Sequence, residues 1–195
     1  MVVNSLTKFA NGHSDAVCGS LTGRADLVAK AHHLQVLLGS QADPFSSWLV
    51  QRGIRTIDLR VPKQSENATA LAQALAKCPY VKKVNHPSLE SHPQHELAKA
   101  QFKGYGGMLS IDLPDDRQKM NKFMRALHFA HYAMTLGGYR TSLSYPVLSS
   151  HSDMPEEERL KIGITNGLMR ISCGIENTQD LVNDFLAALE TAYGA

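Results

Sequence analysis

The chain has 195 residues, 43% of them apolar and 19% charged, with a formal net charge of +2. That is enough apolar chain for a buried core, and so small a charge gives no field to steer a nucleic acid, which excludes polyanion binding as a leading function. No apolar run approaches the roughly 18 residues of a membrane span, no signal-peptide pattern opens the chain, and three scattered cysteines without CxxC spacing read as reduced thiols, so a cytoplasmic protein without a membrane partner is predicted.

Residues 1–6 and 16–20 are short runs expected to form buried strands. Over residues 24–38, Leu27, Val28, Ala31, Leu34 and Leu38 recur at helical spacing, and Gly39 stands where a C-cap glycine belongs. Asp43 and Pro44 supply the N-cap and first position of a second helix, which runs through Gln51 and stops near Gly53. A third helix is predicted over "SENATALAQALAK", residues 65–77, with Pro62 marking its start or a kink.

A strand at residues 80–84 then leads into a proline-punctuated loop, "NHPSLESHPQHE", and a short helix at residues 94–101. "GGMLSIDL" alternates as a strand, with either Met108, Ser110 and Asp112 or Leu109, Ile111 and Leu113 on the buried side. A helix at 115–126, strands at 141–145 and 167–173, and a final helix with Asn177 as N-cap and a stripe of Leu181, Phe185, Leu189 and Ala192 complete the pattern. Residues 59–195 read as an α+β layer domain, whereas residues 1–58 hold too few strands to build a sheet of their own.

"NSLTKFANGHSD", residues 4–15, carries the densest chemistry. If the backbone stays extended, Ser5 and Thr7 share a side, so two hydroxyls can hold a phosphate while Lys8 reaches a carbonyl on the same small ring. An exposed lysine after an edge strand fits those three residues as well. His92 and His95 flank Pro93 and read as a solvated loop, not as a metal site.

The segment "NSLTKFANGHSDAVCGSLTG" resembles the lysine segment of the Cys/Met metabolism family of pyridoxal phosphate enzymes, the group of cystathionine γ-synthase, cystathionine lyases and methionine γ-lyase. The likeness continues in family order through "GSQADPFSSWLVQRGIRTIDLRV", "HPSLESHPQHELAKAQFKGYGGMLSIDL", "TLGGYRTSLSYP" and "GITNGLMRISCGIENTQDLVNDFLAALE".

The resemblance implies an α/β fold, the C-terminal half of a fold-type I (aspartate aminotransferase-like) enzyme ending in an α+β small domain. Residues 1–58 would be a remnant of the cofactor-binding large domain and residues 59–195 the small domain. It also implies pyridoxal 5'-phosphate as cofactor, a Schiff base through Lys8, cofactor phosphate on Ser5 and Thr7, and the substrate carboxylate on Arg170 with Thr141 nearby. Without the family, Arg170 reads as a strand arginine facing water. The implied substrate is a small sulfur-containing or O-acylated amino acid, and the implied partner is a second copy or a complementing N-terminal half. Arg140 departs from the glutamate of several members, which leaves elimination and replacement both open. The other expectation is a non-catalytic truncated chain that oligomerises or binds a partner.

Overall fold

The computed structural model describes residues 1–194. The chain divides into two compact units, Met1–Leu59 and Arg60–Ala195.

In the first unit β1 (Val2–Ser5) and β2 (Gly19–Thr22) pair antiparallel, from Val2 opposite Thr22 to Ser5 opposite Gly19. The expectation of buried strands fails, because every residue of β1 is exposed and β2 is at most half-buried. Two four-residue strands in a two-stranded sheet leave both faces uncovered. The second strand also starts later than expected, Ala16 and Val17 lying in the loop before it.

Helix α1 (Ala25–Leu38) closes on Gly39, which takes the left-handed conformation at φ 72° and donates its N–H to the Gln35 carbonyl. Its apolar stripe is uncovered, with no residue of the helix buried and Leu34 55% exposed. Helix α2 (Pro44–Ile54) starts as predicted, the Asp43 carboxylate accepting the Ser46 N–H at 2.9 Å.

Helix α3 (Ile57–Leu75) begins well before the predicted residue 65 and holds Pro62 in its interior. The proline has no N–H for the Asp58 carbonyl, so the helix lacks one bond there and continues past it. From it, Ala68, Leu71, Ala72 and Leu75 enter the core of the second unit.

That unit is built on a five-stranded sheet in the order β3-β4-β7-β6-β5. The strands are β3 (Lys83–Asn85), β4 (Met108–Asp112), β5 (His131–Tyr132), β6 (Ser142–Ser144) and β7 (Leu168–Ser172), antiparallel except for the β5 and β6 pair. Leu109 lies opposite Ile171 and Ile111 opposite Met169, and these four side chains face the core, which settles the open register of "GGMLSIDL".

Over that face lie α5 (Arg117–Ala126) and α7 (Thr178–Tyr193), capped by Asp116 and Asn177. Phe123 and Phe185 meet edge to face with centroids 6.0 Å apart, both fully buried. The buried Asp184 carboxylate accepts the backbone N–H groups of His128 and Phe129, tying α7 to the chain leaving α5.

The short helices α4 (His95–Gln101) and α6 (Glu156–Lys161) lie in sequence between β3 and β4 and between β6 and β7, and β5 and α6 were not foreseen. On the opposite face Ser110, Arg170 and Ser144 lie side by side across the three central strands, Ser110 and Arg170 half-buried and Ser144 buried.

Candidate functional site

Strand β1 ends at Ser5, and the chain turns at once: the Lys8 N–H donates to the Ser5 carbonyl at 3.3 Å. The turn is continued by Asn11 N–H to the Leu6 carbonyl at 2.9 Å and Gly12 N–H to the Lys8 carbonyl at 2.8 Å, with Gly12 at φ 70°. Ser5 and Lys8 are thus brought to the two ends of one tight turn.

Thr7 does not continue the strand's alternation. Its hydroxyl donates to the Cys18 carbonyl at 3.2 Å and accepts the Cys18 N–H at 2.9 Å, which pins the turn to the loop before β2. Below the turn Asn11 is fully buried, its amide N–H donating to Asp15 at 2.7 Å while its side-chain oxygen has no partner. Its backbone carbonyl abuts α2 at Gly53, where any side chain would collide with it.

Arg170, on β7 of the second unit, is no free surface arginine. It donates from one terminal nitrogen to the Met134 carbonyl at 2.9 Å and the Thr135 carbonyl at 3.3 Å, and burial lowers its pKa from the ordinary value without discharging it. The Ser142 hydroxyl also donates to the Thr135 carbonyl, at 3.2 Å, and the Gly137 N–H donates to the Ser172 hydroxyl at 2.9 Å. Segment 134–138 is therefore strapped across the outer face of β6 and β7.

Thr141 is fully buried, its hydroxyl donating to Glu176 at 2.8 Å and accepting the Gly174 N–H at 2.9 Å. Beside it the Arg140 guanidinium lies over the Tyr139 ring, 5.3 Å from its centroid. The carbonyls of Met134 and Thr135 and the close contact at Gly53 had no sequence signal, since a backbone carbonyl carries no residue-type signature. His95 departs from the solvated loop expected for it: its side chain is 13% exposed, stacks on Tyr105 and donates Nδ1–H to the Pro87 carbonyl at 2.8 Å. Among the described residues no group of three or more His, Cys, Asp or Glu could hold a metal ion.

Pyridoxal phosphate asks for a free amine and for donors to its phosphate. Among the described residues neither the Lys8 amine nor the Ser5 hydroxyl has a hydrogen-bond or ion-pair partner, so the two ends of the turn fit the group. Thr7 fits as a wall of the turn, its one hydroxyl proton already given to Cys18.

The model of the family described as "Cys/Met metabolism PLP-dependent enzyme" matches residues 1–190. Cystathionine beta-lyase of Coxiella burnetii is 41% identical over 191 residues, covering 97% of this chain and 49% of that protein. The chloroplastic cystathionine gamma-synthase 1 of Arabidopsis thaliana is 39% identical over 190 residues, covering 97% and 34%. The crystal structure of cystathionine gamma synthase from Xanthomonas oryzae pv. oryzae in complex with cystathionine superposes with a TM-score of 0.92 at 37% identity, over 99% of this chain and 50% of that one. The chain thus spans half or less of the length of these relatives. No helix is long and apolar enough to cross a membrane among the described residues.

Proposed function

Because this chain belongs to the Cys/Met metabolism family of pyridoxal phosphate-dependent enzymes, we propose that it carries the lysine-bearing part of a transsulfuration active site, as the C-terminal half of a carbon-sulfur lyase or γ-replacement enzyme. In that reading Met1–Leu59 is part of the cofactor-binding large domain and Arg60–Ala195 is the small domain. When bound, pyridoxal phosphate supplies an electron-withdrawing ring that weakens bonds at a substrate's α carbon.

Lys8 would hold the cofactor's aldehyde carbon through its amine and, once a substrate amine takes its place, move the proton at the α carbon. Ser5 would donate to the cofactor phosphate, and Thr7 would keep the turn at its distance from β2. Arg170 would clamp the α-carboxylate of a small sulfur-containing or O-acylated amino acid, its orientation set by the Met134 and Thr135 carbonyls. Thr141 serves that clamp as an anchor of β6, because its hydroxyl is committed to Glu176 and Gly174.

The observation that carries the reading is the unpaired Lys8 amine three residues from the unpaired Ser5 hydroxyl, on a turn closed by their own backbone bond. Incubation with pyridoxal phosphate, reduction with borohydride and peptide mapping tests it. Cofactor fixed to Lys8, and lost in Lys8→Ala, supports the reading; label spread over the other lysines, or none, overturns it for the isolated chain.

A second reading, a non-catalytic chain that oligomerises or binds a complementing N-terminal half, is favoured by one feature. An apolar groove of about 750 Å³ runs between the hairpin and α1, lined by Val3, Leu21, Val28, Leu34 and Leu38. Sedimentation of the purified chain separates the cases, since a monodisperse monomer leaves that groove without the role this reading gives it.

A further inference from the structure

Strand β3 is the outermost strand on its flank of the sheet, and beside it lies a cavity of about 330 Å³ walled by residues 81–85, the loop at 89–93 and Ala76 just past α3. That volume stands at the lower end of the roughly 300–1,000 Å³ typical of small-molecule sites.

The polar lining is Lys82, Lys83, Asn85, Ser91 and His92, and the Asn85 amide is committed to the Ser110 hydroxyl at 3.2 Å. Lys82 and Lys83 are exposed at the cavity rim, each on a flexible stem long enough to bring an ammonium group to the opening, and Ser91 brings a hydroxyl. His92 accepts the Gln94 N–H on Nδ1 at 3.2 Å, so its ring proton sits on Nε2, where it can be donated.

Among the described residues no aspartate or glutamate lines the cavity, the exposed Glu90 of the 89–93 loop standing outside the lining. The carboxylate opposite Lys83 in the β3 and β4 register is Asp112, which lies outside the lining and accepts the Thr165 hydroxyl. The floor is apolar: Val81, Val84 and Leu89 are half-buried and packed on the core.

Two ammonium groups, an imidazole N–H and a hydroxyl over an apolar floor are the complement of a doubly charged acceptor on a compact apolar body. We propose that this cavity binds a phosphate monoester of a small apolar alcohol or phenol. The phosphate oxygens take Lys82, Lys83 and His92, and the apolar group displaces water from Val84 and Leu89. The site lies wholly within the second unit and rests on nothing assigned to Lys8 or Ser5.

A titration of the full chain followed by two-dimensional amide NMR tests this, with phenyl phosphate as probe and phenol and inorganic phosphate as controls. Phenyl phosphate is expected to shift amides of residues 81–93 saturably at one site, more tightly than either control. The Lys82→Ala, Lys83→Ala double variant should weaken it about tenfold or more, the scale of lost charge-assisted contacts, and His92→Ala a few-fold. Shifts around residues 5–8 that vanish in Ser5→Ala would belong to the Lys8 turn and are scored apart. The proposal is overturned if phenol alone reproduces the shifts, if the double variant binds unchanged, if shifts scatter over lysines of the whole surface, or if none saturate. Lys82→Gln, which keeps an exposed polar side chain, guards against a folding artefact in the double variant.

Discussion

Met1–Leu59 and Arg60–Ala195 draw on similar residue types and reach opposite states of completion. Among the described residues, Ala16 and Val50 are the buried apolar side chains of the first unit, whereas the second buries Leu71, Leu75, Ile111, Phe123, Met169, Phe185 and others in one cluster. The first unit is held mainly by backbone devices, a hairpin, a glycine cap and a pinned turn, while the second is held by interdigitated side chains on a sheet. Amphipathic periodicity is present in both, and only in the second does it meet a surface of matching shape. A helical stripe therefore states a demand for burial without saying what meets it.

The strongest way to break this contrast is native-state hydrogen exchange. Amides of β4, β7 and α7 should exchange only through global opening, and those of β1, β2 and α1 through far cheaper local opening, unless a partner covers them. Equal protection in the isolated monomer would remove the distinction. Next in size, Phe185→Ala should cost about 3–5 kcal/mol in denaturant melts, the range for emptying a packed aromatic site.

Thr141→Val removes a hydroxyl that both donates and accepts, leaving the Gly174 N–H and a Glu176 oxygen unpaired; a loss of about 2 kcal/mol is expected in the same melts. A smaller effect concerns His86, whose pKa burial pushes below the ordinary 6.5. The unfolded chain then binds a proton that the folded one refuses, so stability is full above pH 6.5 and declines as pH falls from there through the folded value. His86→Gln should flatten that decline, and an unchanged pH profile would remove the residue from the account. Smallest of all, Leu34→Ala on the exposed stripe of α1 should stay within about 0.5 kcal/mol, and a larger loss in the monomer would show that the stripe is packed after all.

Much of the second unit was legible beforehand because its rules are local. Asn177 announces a helix start by side-chain chemistry, and Leu109 with Ile111 alternates as a half-buried strand must. The start of α3 was misplaced for a physical reason: Pro62 is read as a helix start or a kink, and a long helix outlasts the one bond missing there. At the candidate site, residue types alone fit an exposed lysine as well, and it was the family resemblance that singled out Lys8. The pinning of Thr7 was not legible, because its partner is a backbone unit in a loop 11 residues away. Arg170 was singled out for its charge, while the carbonyls that aim it belong to Met134 and Thr135, residues chosen by no pattern.

The contact between Gly53 and the Asn11 carbonyl makes the height of the lysine turn depend on a hydrogen atom in a helix far along the chain. One added methyl there would act as a shim, lifting the turn and the amine it carries. In the role proposed for Lys8, a displacement on the order of 1 Å would cost about a hundredfold in rate. The lysine's placement is thus set from beneath, by a residue more than 40 positions away in sequence.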